Sequence, residues 1–364
     1  MDLLLLYNNV FASKCFDKIV NEIKDCGFHC GATYTPPNEY AVAIEHLRAK
    51  KKENRNVRVY IKMMLAIYDR IAEKLSDEEQ TNFYLERERR NLLYPIYADV
   101  KAILDFDKEY KRTHKIGLSE LYEKLFKRTA RVRYIDFNQG VDARLVTNEK
   151  MQKLAELNIR PLRIAFDRLK MKDIYIKAVK TAVKYGIKNL SNYLLYNHND
   201  KPEELYERLK INVDLCEELG NNKAGVSIYS FPMKYHPIDD PLYFDNRDYI
   251  GKYWNKKFIR AIQAVLNSTK GKIGRGKAFF EEAFGRNIDE FMDIMRMPET
   301  FIIHRFKYKE NQTKEWRKQF NALNEEQRTM VEEFIAANVF SDFSGIQEKK
   351  ILAVLEFYKT KRDK

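Results

Sequence analysis

The sequence predicts an α/β protein whose organising part, Arg131 to Pro237, is a run of βα units forming a parallel sheet. Three observations predict it. Four strand-type runs alternate with helical periodicity: Arg131–Arg144, Pro161–Asp167, Leu190–Asp200 and Gly225–Phe231. Their spacing, roughly 30 residues, is that of right-handed βαβ crossovers. Polar residues close the first three runs, at Asp136, Asn138, Asp167, Asn197 and Asn199, and in parallel sheets the carboxyl ends of the strands are where chemistry is built.

Taken in order, the opening Met1–Val10 is strand-like and a helix follows from about Ser13 to Cys26. Pro36-Pro37 ends this unit, and Asn38 to Lys127 reads as helices without a convincing strand. There Tyr60, Met64, Ile67, Ile71 and Leu75 recur at helical spacing, Ser76 and Glu79 form a capping box, and Pro95 interrupts a helix. The charged runs Lys50–Arg55 and Glu86–Arg90 read as solvated helix surface or, alternatively, as the lining of a nucleic-acid channel. Beyond the first run, which breaks at Gly140, Thr147 caps a helix; a second helix carries Ile174, Ala178, Val179 and Ala182 and stops at Gly186. Asp200 and Glu203 resemble a capping box around Pro202, and the last strand closes at Pro232. From Asp239 onward the chain is mostly helical again, with apolar stripes at Phe258, Ile262, Val265 and at Met330, Phe334, Ala337. The expected division is 1–33, strand and helix; 34–128, helical insertion; 129–240, βα units; 241–364, helical carboxyl-terminal domain.

Length and composition set bounds. With 364 residues and 45% hydrophobic content, the chain can bury more than one core. No apolar run is long enough to span a bilayer, Leu3–Leu6 is too short for a signal peptide, and the four cysteines show no framework spacing, so a cytoplasmic protein with reduced thiols is expected. Lysine and arginine exceed the acids by 66 to 53, a net charge of +13, which favours a polyanion such as nucleic acid as partner; a lysine-rich host composition explains the same excess.

The run Asp136-Phe-Asn-Gln-Gly-Val-Asp-Ala-Arg144, then Arg163-Ile-Ala-Phe-Asp167, then Tyr193-Leu-Leu-Tyr-Asn197 with the helix start Asp200-Lys-Pro-Glu-Glu204, resembles strands four to seven of the radical S-adenosylmethionine superfamily barrel. The opening segment resembles that family's third strand and helix. The resemblance implies a partial (β/α) barrel with a helical insertion and a helical carboxyl-terminal domain. It also implies S-adenosylmethionine and a [4Fe-4S] cluster as cofactors, with reductive cleavage of the former as the parent activity. The family's cluster motif, Cys-x3-Cys-x2-Cys, is not in this sequence: Cys26 and Cys30 are the close pair, and Thr33 stands three residues later. On this resemblance the chain begins inside the barrel, and the protein is either longer than this sequence or has lost the redox step.

By the same resemblance, Asn138, Gln139, Asp142 and Arg144 hold the methionine carboxylate and ribose, a planar guanidinium suiting the carboxylate. They read equally as a capping turn. Asp167 is expected at the barrel mouth or as a turn cap, and Asn197 or Asn199 near an adenine edge. His198 lacks a sequence partner for a metal, and His29 reads as a helix end. Alternating aromatics, Tyr229, Phe231 and Tyr235, read as core, with Met233 between them. The basic loop Lys270–Lys277 lacks the spacing of a phosphate-binding loop and reads as a linker. No Ser-His-Asp or Cys-His set stands out. The competing function class is a non-catalytic, basic nucleic-acid-binding or scaffold protein on a decayed barrel.

Overall fold

The computed structural model describes residues 2–6, 9–49, 56–220, 225–243, 247–269, 271, 273–274, 276–343 and 345–359. Lys50–Arg55, Tyr7 and Asn8 of the opening strand, and Lys270, Lys272 and Arg275 of the basic loop lie outside the described residues. The chain divides into a smaller compact unit, residues 31–133, and a larger one, residues 2–30 with 134–364.

The larger unit starts with β1 (Leu3–Leu5) and α1 (Phe16–Ile23). A π-type turn over Lys24–Phe28 continues the helix, and Gly27 there takes a φ of 79°.

In the smaller unit, β2 (Thr33–Tyr34) is followed by α2 (Glu39–Arg48), α3 (Val57–Ala72), α4 (Asp77–Glu88), α5 (Val100–His114), α6 (Leu118–Leu125) and β3 (Arg131–Val132). β2 and β3 pair antiparallel, which closes the unit where the chain enters and leaves it. The helices start where side chains cap them: Asn38 accepts from the Ala41 N–H, Ser76 and Glu79 form the expected box, and Asp99 accepts from Ala102. Met64, Ile67 and Ile71 of the predicted stripe are fully buried, and the core they enter is aromatic. Tyr68 meets Phe106 edge to face at 5.3 Å, and Phe83 meets Tyr110 the same way at 5.8 Å.

Back in the larger unit come β4 (Ile135–Phe137), α7 (Asn148–Leu154), β5 (Leu162–Arg163), α8 (Lys172–Lys184), β6 (Asn189–Tyr196), α9 (Pro202–Gly220) and β7 (Ser227–Lys234). The helices after them are α10 (Lys256–Ser268), α11 (Lys277–Phe284), α12 (Ile288–Arg296), α13 (Glu299–Ile303), α14 (Arg305–Tyr308), α15 (Gln312–Asn321), α16 (Glu325–Ala337) and α17 (Lys349–Leu355). β1 lies parallel to β4, and β5, β6 and β7 are parallel to one another. Parallel bridges Ile135 to Ile159 and Val141 to Ile164 link the two groups, so the strands follow one another in the order β1, β4, β5, β6, β7. One apolar core runs from these strands through α8 and α9 into the carboxyl-terminal helices, from Ile135 and Leu194 to Ile262, Phe291 and Trp316.

The architecture is therefore mixed α/β, mostly helical, with small sheets. Several boundaries differ from those expected. The run Arg131–Arg144 is two strands, because Arg131–Val132 pairs with β2 while Ile135–Phe137 pairs with β1. β7 continues past Pro232 to Lys234; Ser230 turns both its N–H and its C=O away from β6 to Ile273, and Pro232, two residues on, faces the same edge, where its missing N–H costs no ladder bond. In α16 the buried stripe is Val331 and Ile335, one position from the expected one, and Met330 is exposed. Among the described residues, no helix is long and apolar enough to cross a membrane.

Candidate functional site

Period-two alternation sorts the β6 side chains. Leu190, Asn192, Leu194 and Tyr196 are buried, and Asn192 on that face meets α8 through Tyr175. Ser191, Tyr193 and Leu195 fall on the opposite face, and the register sets Tyr229, Phe231 and Met233 of β7 beside them and Arg163 of β5 next to Ser191.

On that face Arg163 and Asp136 form a two-point ion pair. The guanidinium donates from Nε at 2.9 Å and from Nη2 at 2.6 Å, one bond to each carboxylate oxygen, with a longer bond to Ser191 Oγ at 3.4 Å. Its Cζ lies 5.4 Å from the Tyr193 ring centroid and 5.9 Å from that of Phe231. Burial works against the charge of Arg163, but the Asp136 carboxylate outweighs it and holds the pKa above the ordinary arginine value. Gly140 makes this approach possible: its φ is 76°, and a Cβ there would sit 3.1 Å from both the Arg163 carbonyl oxygen and its Cβ.

Beneath the strands, a polar chain is buried between helices and sheet. Asn192 Nδ2 donates to Tyr175 Oη at 2.7 Å, Tyr175 donates to Asn212 Oδ1 at 2.7 Å, and Asn212 Nδ2 donates to Ser230 Oγ at 2.9 Å. These bonds fix α8 and α9 against β6 and β7.

At the carboxyl ends the organising residue is Arg208 of α9, which is fully buried. Its Nη1 donates to the carbonyls of Phe166 at 3.3 Å, Asp167 at 2.9 Å and Leu195 at 2.9 Å. Nε donates to the Glu204 carbonyl at 3.1 Å and Nη2 to Asp200 Oδ2 at 3.0 Å. One side chain thus gathers the ends of β5 and β6. Asp200 also accepts from the His198 N–H at 3.0 Å, and Trp254 Nε1 donates to the Asp200 carbonyl at 2.9 Å. The predicted box of Asp200 with Glu203 is replaced: Glu204 receives the Lys201 N–H at 2.8 Å, which leaves Asp200 for Arg208.

The predicted site residues have distinct placements. Asn138 donates its backbone N–H to the Leu5 carbonyl at 3.2 Å, and Gln139 beside it is exposed. Asp142 caps the turn Ala143–Leu145, and Arg144 folds back on it, Nε at 3.0 Å from both carboxylate oxygens. The Arg144 hydrogen bonds hold the Asp142 pKa below its usual value. Asp167 is at the surface as a residue, while the packing around its carboxyl raises its pKa against the pull of Arg208 and Arg168. Asn197 is fully buried with a φ of 69°; its amide donates to the carbonyls of Tyr249 at 2.9 Å and Tyr235 at 3.3 Å, and its oxygen accepts from the Gly251 N–H at 2.8 Å. Asn199 is exposed, 3.1 Å from His198 Nε2. The structure therefore brings Asn138, Gln139, Asp142 and Arg144 into one turn, and it commits the amide of Asn197 to backbone.

Sequence reasoning missed Arg163 and Arg208. Their signal was a charge at a position flanked by apolar residues: Arg163 between Leu162 and Ile164, Arg208 between Leu205 and Leu209. Also missed was a ring cluster after β6 and β7. His198 lies against Tyr235, the rings tilted by 49° with centroids 4.3 Å apart, Tyr235 meets Tyr249 at 5.5 Å, and Tyr249 meets Tyr243 at 5.4 Å. The Nδ1 atoms of His198 and His236 are buried there, without hydrogen-bond partners among the described residues.

The thiols do not form the ligand set of a [4Fe-4S] cluster. Cys15, Cys26 and Cys30 are exposed and Cys216 is buried, and among the described residues no three Cys, His, Asp or Glu side chains gather where they could hold a metal ion. Comparison of the chain with protein-family models, curated proteins and solved structures found no match.

Proposed function

We propose that this chain binds S-adenosylmethionine at the carboxyl ends of its parallel strands, as the later strands of a partial (β/α) barrel of the radical S-adenosylmethionine type. The observation that supports it best is the strand succession β1, β4, β5, β6, β7, all parallel, with the Asp136–Arg163 pair on the face away from α8 and α9. In this reading Asn138, Gln139 and Asn199 offer polar side chains to the ribose and adenine, and Asp142 with Arg144 offers an ion pair that a ligand carboxylate can open. Asp167 lies at the same edge. A [4Fe-4S] cluster, where an enzyme of this type carries one, supplies the electron that cleaves the sulfonium; the cysteines of this chain do not fit it. The proposed setting is the cytoplasm.

The test is equilibrium binding of S-adenosylmethionine to the full chain, with Gln139→Ala and Arg144→Ala as variants. The expected result is saturable binding, weakened by about tenfold in each variant, the equivalent of one lost hydrogen bond to a charged or polar ligand group. Undetectable binding overturns the reading. A second reading, a basic nucleic-acid-binding protein, draws on the net charge of +13. It expects RNA or DNA binding that falls steeply with salt and is indifferent to both substitutions.

A further inference from the structure

α10 begins at Asn255, whose side-chain oxygen accepts the Phe258 N–H at 2.8 Å. Lys257, in the first turn, is only 1% exposed, and among the described residues its Nζ has no hydrogen-bond partner. A buried ammonium without an acceptor is costly, so such a group is either neutral or poised for a ligand. The neighbouring acid, Glu299, is engaged by Arg260, which donates from Nε at 2.9 Å and from Nη2 at 2.6 Å to one carboxylate oxygen. Beside Lys257 is a cavity of about 160 Å³ lined also by Arg260, Glu299, Thr300, Asn338 and Tyr358. Neither the strand ends nor their proposed ligand involve this region of the helices.

We propose that Lys257 and this cavity form a site for a small carbonyl compound carrying a carboxylate, an α-keto acid of about the size of pyruvate, held as an imine on Nζ. The amine lone pair adds to the carbonyl carbon, the carbinolamine loses one water, and the C=N bond remains; no oxidant or reductant is consumed. Arg260 lies one helical turn on; Nε and Nη2 are held by Glu299, so a ligand carboxylate would meet its remaining nitrogen, Nη1. The charged and titratable groups that line the cavity with Lys257 are Arg260 from its own helix, Glu299 from α13 and Tyr358 from the turn that follows α17. Tyr358 is fixed by donating to the Arg296 carbonyl at 2.7 Å. Burial, helped by Arg260 and opposed by Glu299, pushes the Lys257 pKa down to about 7. A lysine in water keeps its proton, with a pKa of about 10.4, so at neutral pH a much larger share of this amine is unprotonated than of those on the surface.

The experiment incubates the full chain with pyruvate and sodium cyanoborohydride, then maps the reduced adduct by peptide mass spectrometry. The expected result is early, saturable modification of Lys257, with a rate that climbs through about pH 7 as the amine loses its proton. Lys257→Met should remove this fast phase while the melting temperature is kept. Modification spread over the lysines without preference for Lys257 would overturn the proposal, and because that result is read on the unaltered chain it does not depend on the variant folding.

Discussion

Among the described residues each unit buries one arginine completely, Arg87 in the helical unit and Arg208 in the larger one, and the two are used differently. Arg87, in the helical unit, donates to Asp69 at 2.7 Å and from two nitrogens to the Leu92 carbonyl, at 3.3 and 3.1 Å. It lies within 6.0 Å of the ring centroids of Tyr68, Phe83 and Tyr84. These partners come from α3, α4 and the turn just after it, so Arg87 closes a local corner. Arg208 instead binds carbonyls from the ends of two strands and an acid beyond the second. Both guanidiniums are held by an acid and by peptide oxygen; Arg87 adds rings and draws its partners from nearby chain, whereas the strand-end carbonyls that Arg208 binds are non-local. Removing Arg208 disorders an edge, where removing Arg87 loosens a turn.

The most damaging test of this contrast is Arg208→Leu. It leaves the carbonyls of Phe166, Asp167 and Leu195 and the Asp200 carboxylate without their donor, and the larger unit should lose about 3–5 kcal/mol in urea unfolding. Hydrogen exchange should rise in β5, β6 and α9 together. Arg87→Met should cost about 2–3 kcal/mol, less because the side chain of Asp69 is 54% exposed and remains hydrated, with faster exchange confined to α4 and the turn to Ala98. Equal losses, or exchange spreading through the helical unit, would break the comparison. The smallest effect concerns pH. Glu39 accepts from Arg70 at 2.6 Å, and that bond holds its pKa below the ordinary carboxylate value. A carboxyl lowered in the fold stabilises above its unfolded pKa, and that contribution is lost as pH falls through the folded one. Since the pair is exposed, Glu39→Gln should cost under about 1 kcal/mol at neutral pH. The variant should also flatten the acid limb of the helical unit's stability curve, measured by melting at successive pH values.

Helix starts were legible in the residues because caps are local: Ser76 with Glu79 and Thr147 did what their types and spacing imply. The parallel strands were legible from alternation in Leu190–Tyr196, but the partner of Arg131–Val132 was not, since two residues carry too little pattern to choose between β1 and β2. At the strand ends, the polar residues were visible as a set, yet what each one touches depends on distant chain. Asn197 is the clearest instance: all its amide partners lie 38 to 54 positions away, in Tyr235, Tyr249 and Gly251. Arg208 was hidden for the same reason, as an arginine in a helix ordinarily reads as surface.

The fit between Asn197 and Gly251 also bears on how such a chain can vary. A Cβ at position 251 would sit 2.5 Å from the His198 carbonyl oxygen and 2.8 Å from that of Asn197, so a side chain there lifts the backbone away from the amide that receives its N–H. Asn197 then loses the donor to its side-chain oxygen, and the neighbouring Tyr249 carbonyl that its amide nitrogen binds shifts with the same segment. The two positions are thus coupled: a library randomised at both and selected for stability should return the asparagine and the glycine together, or neither.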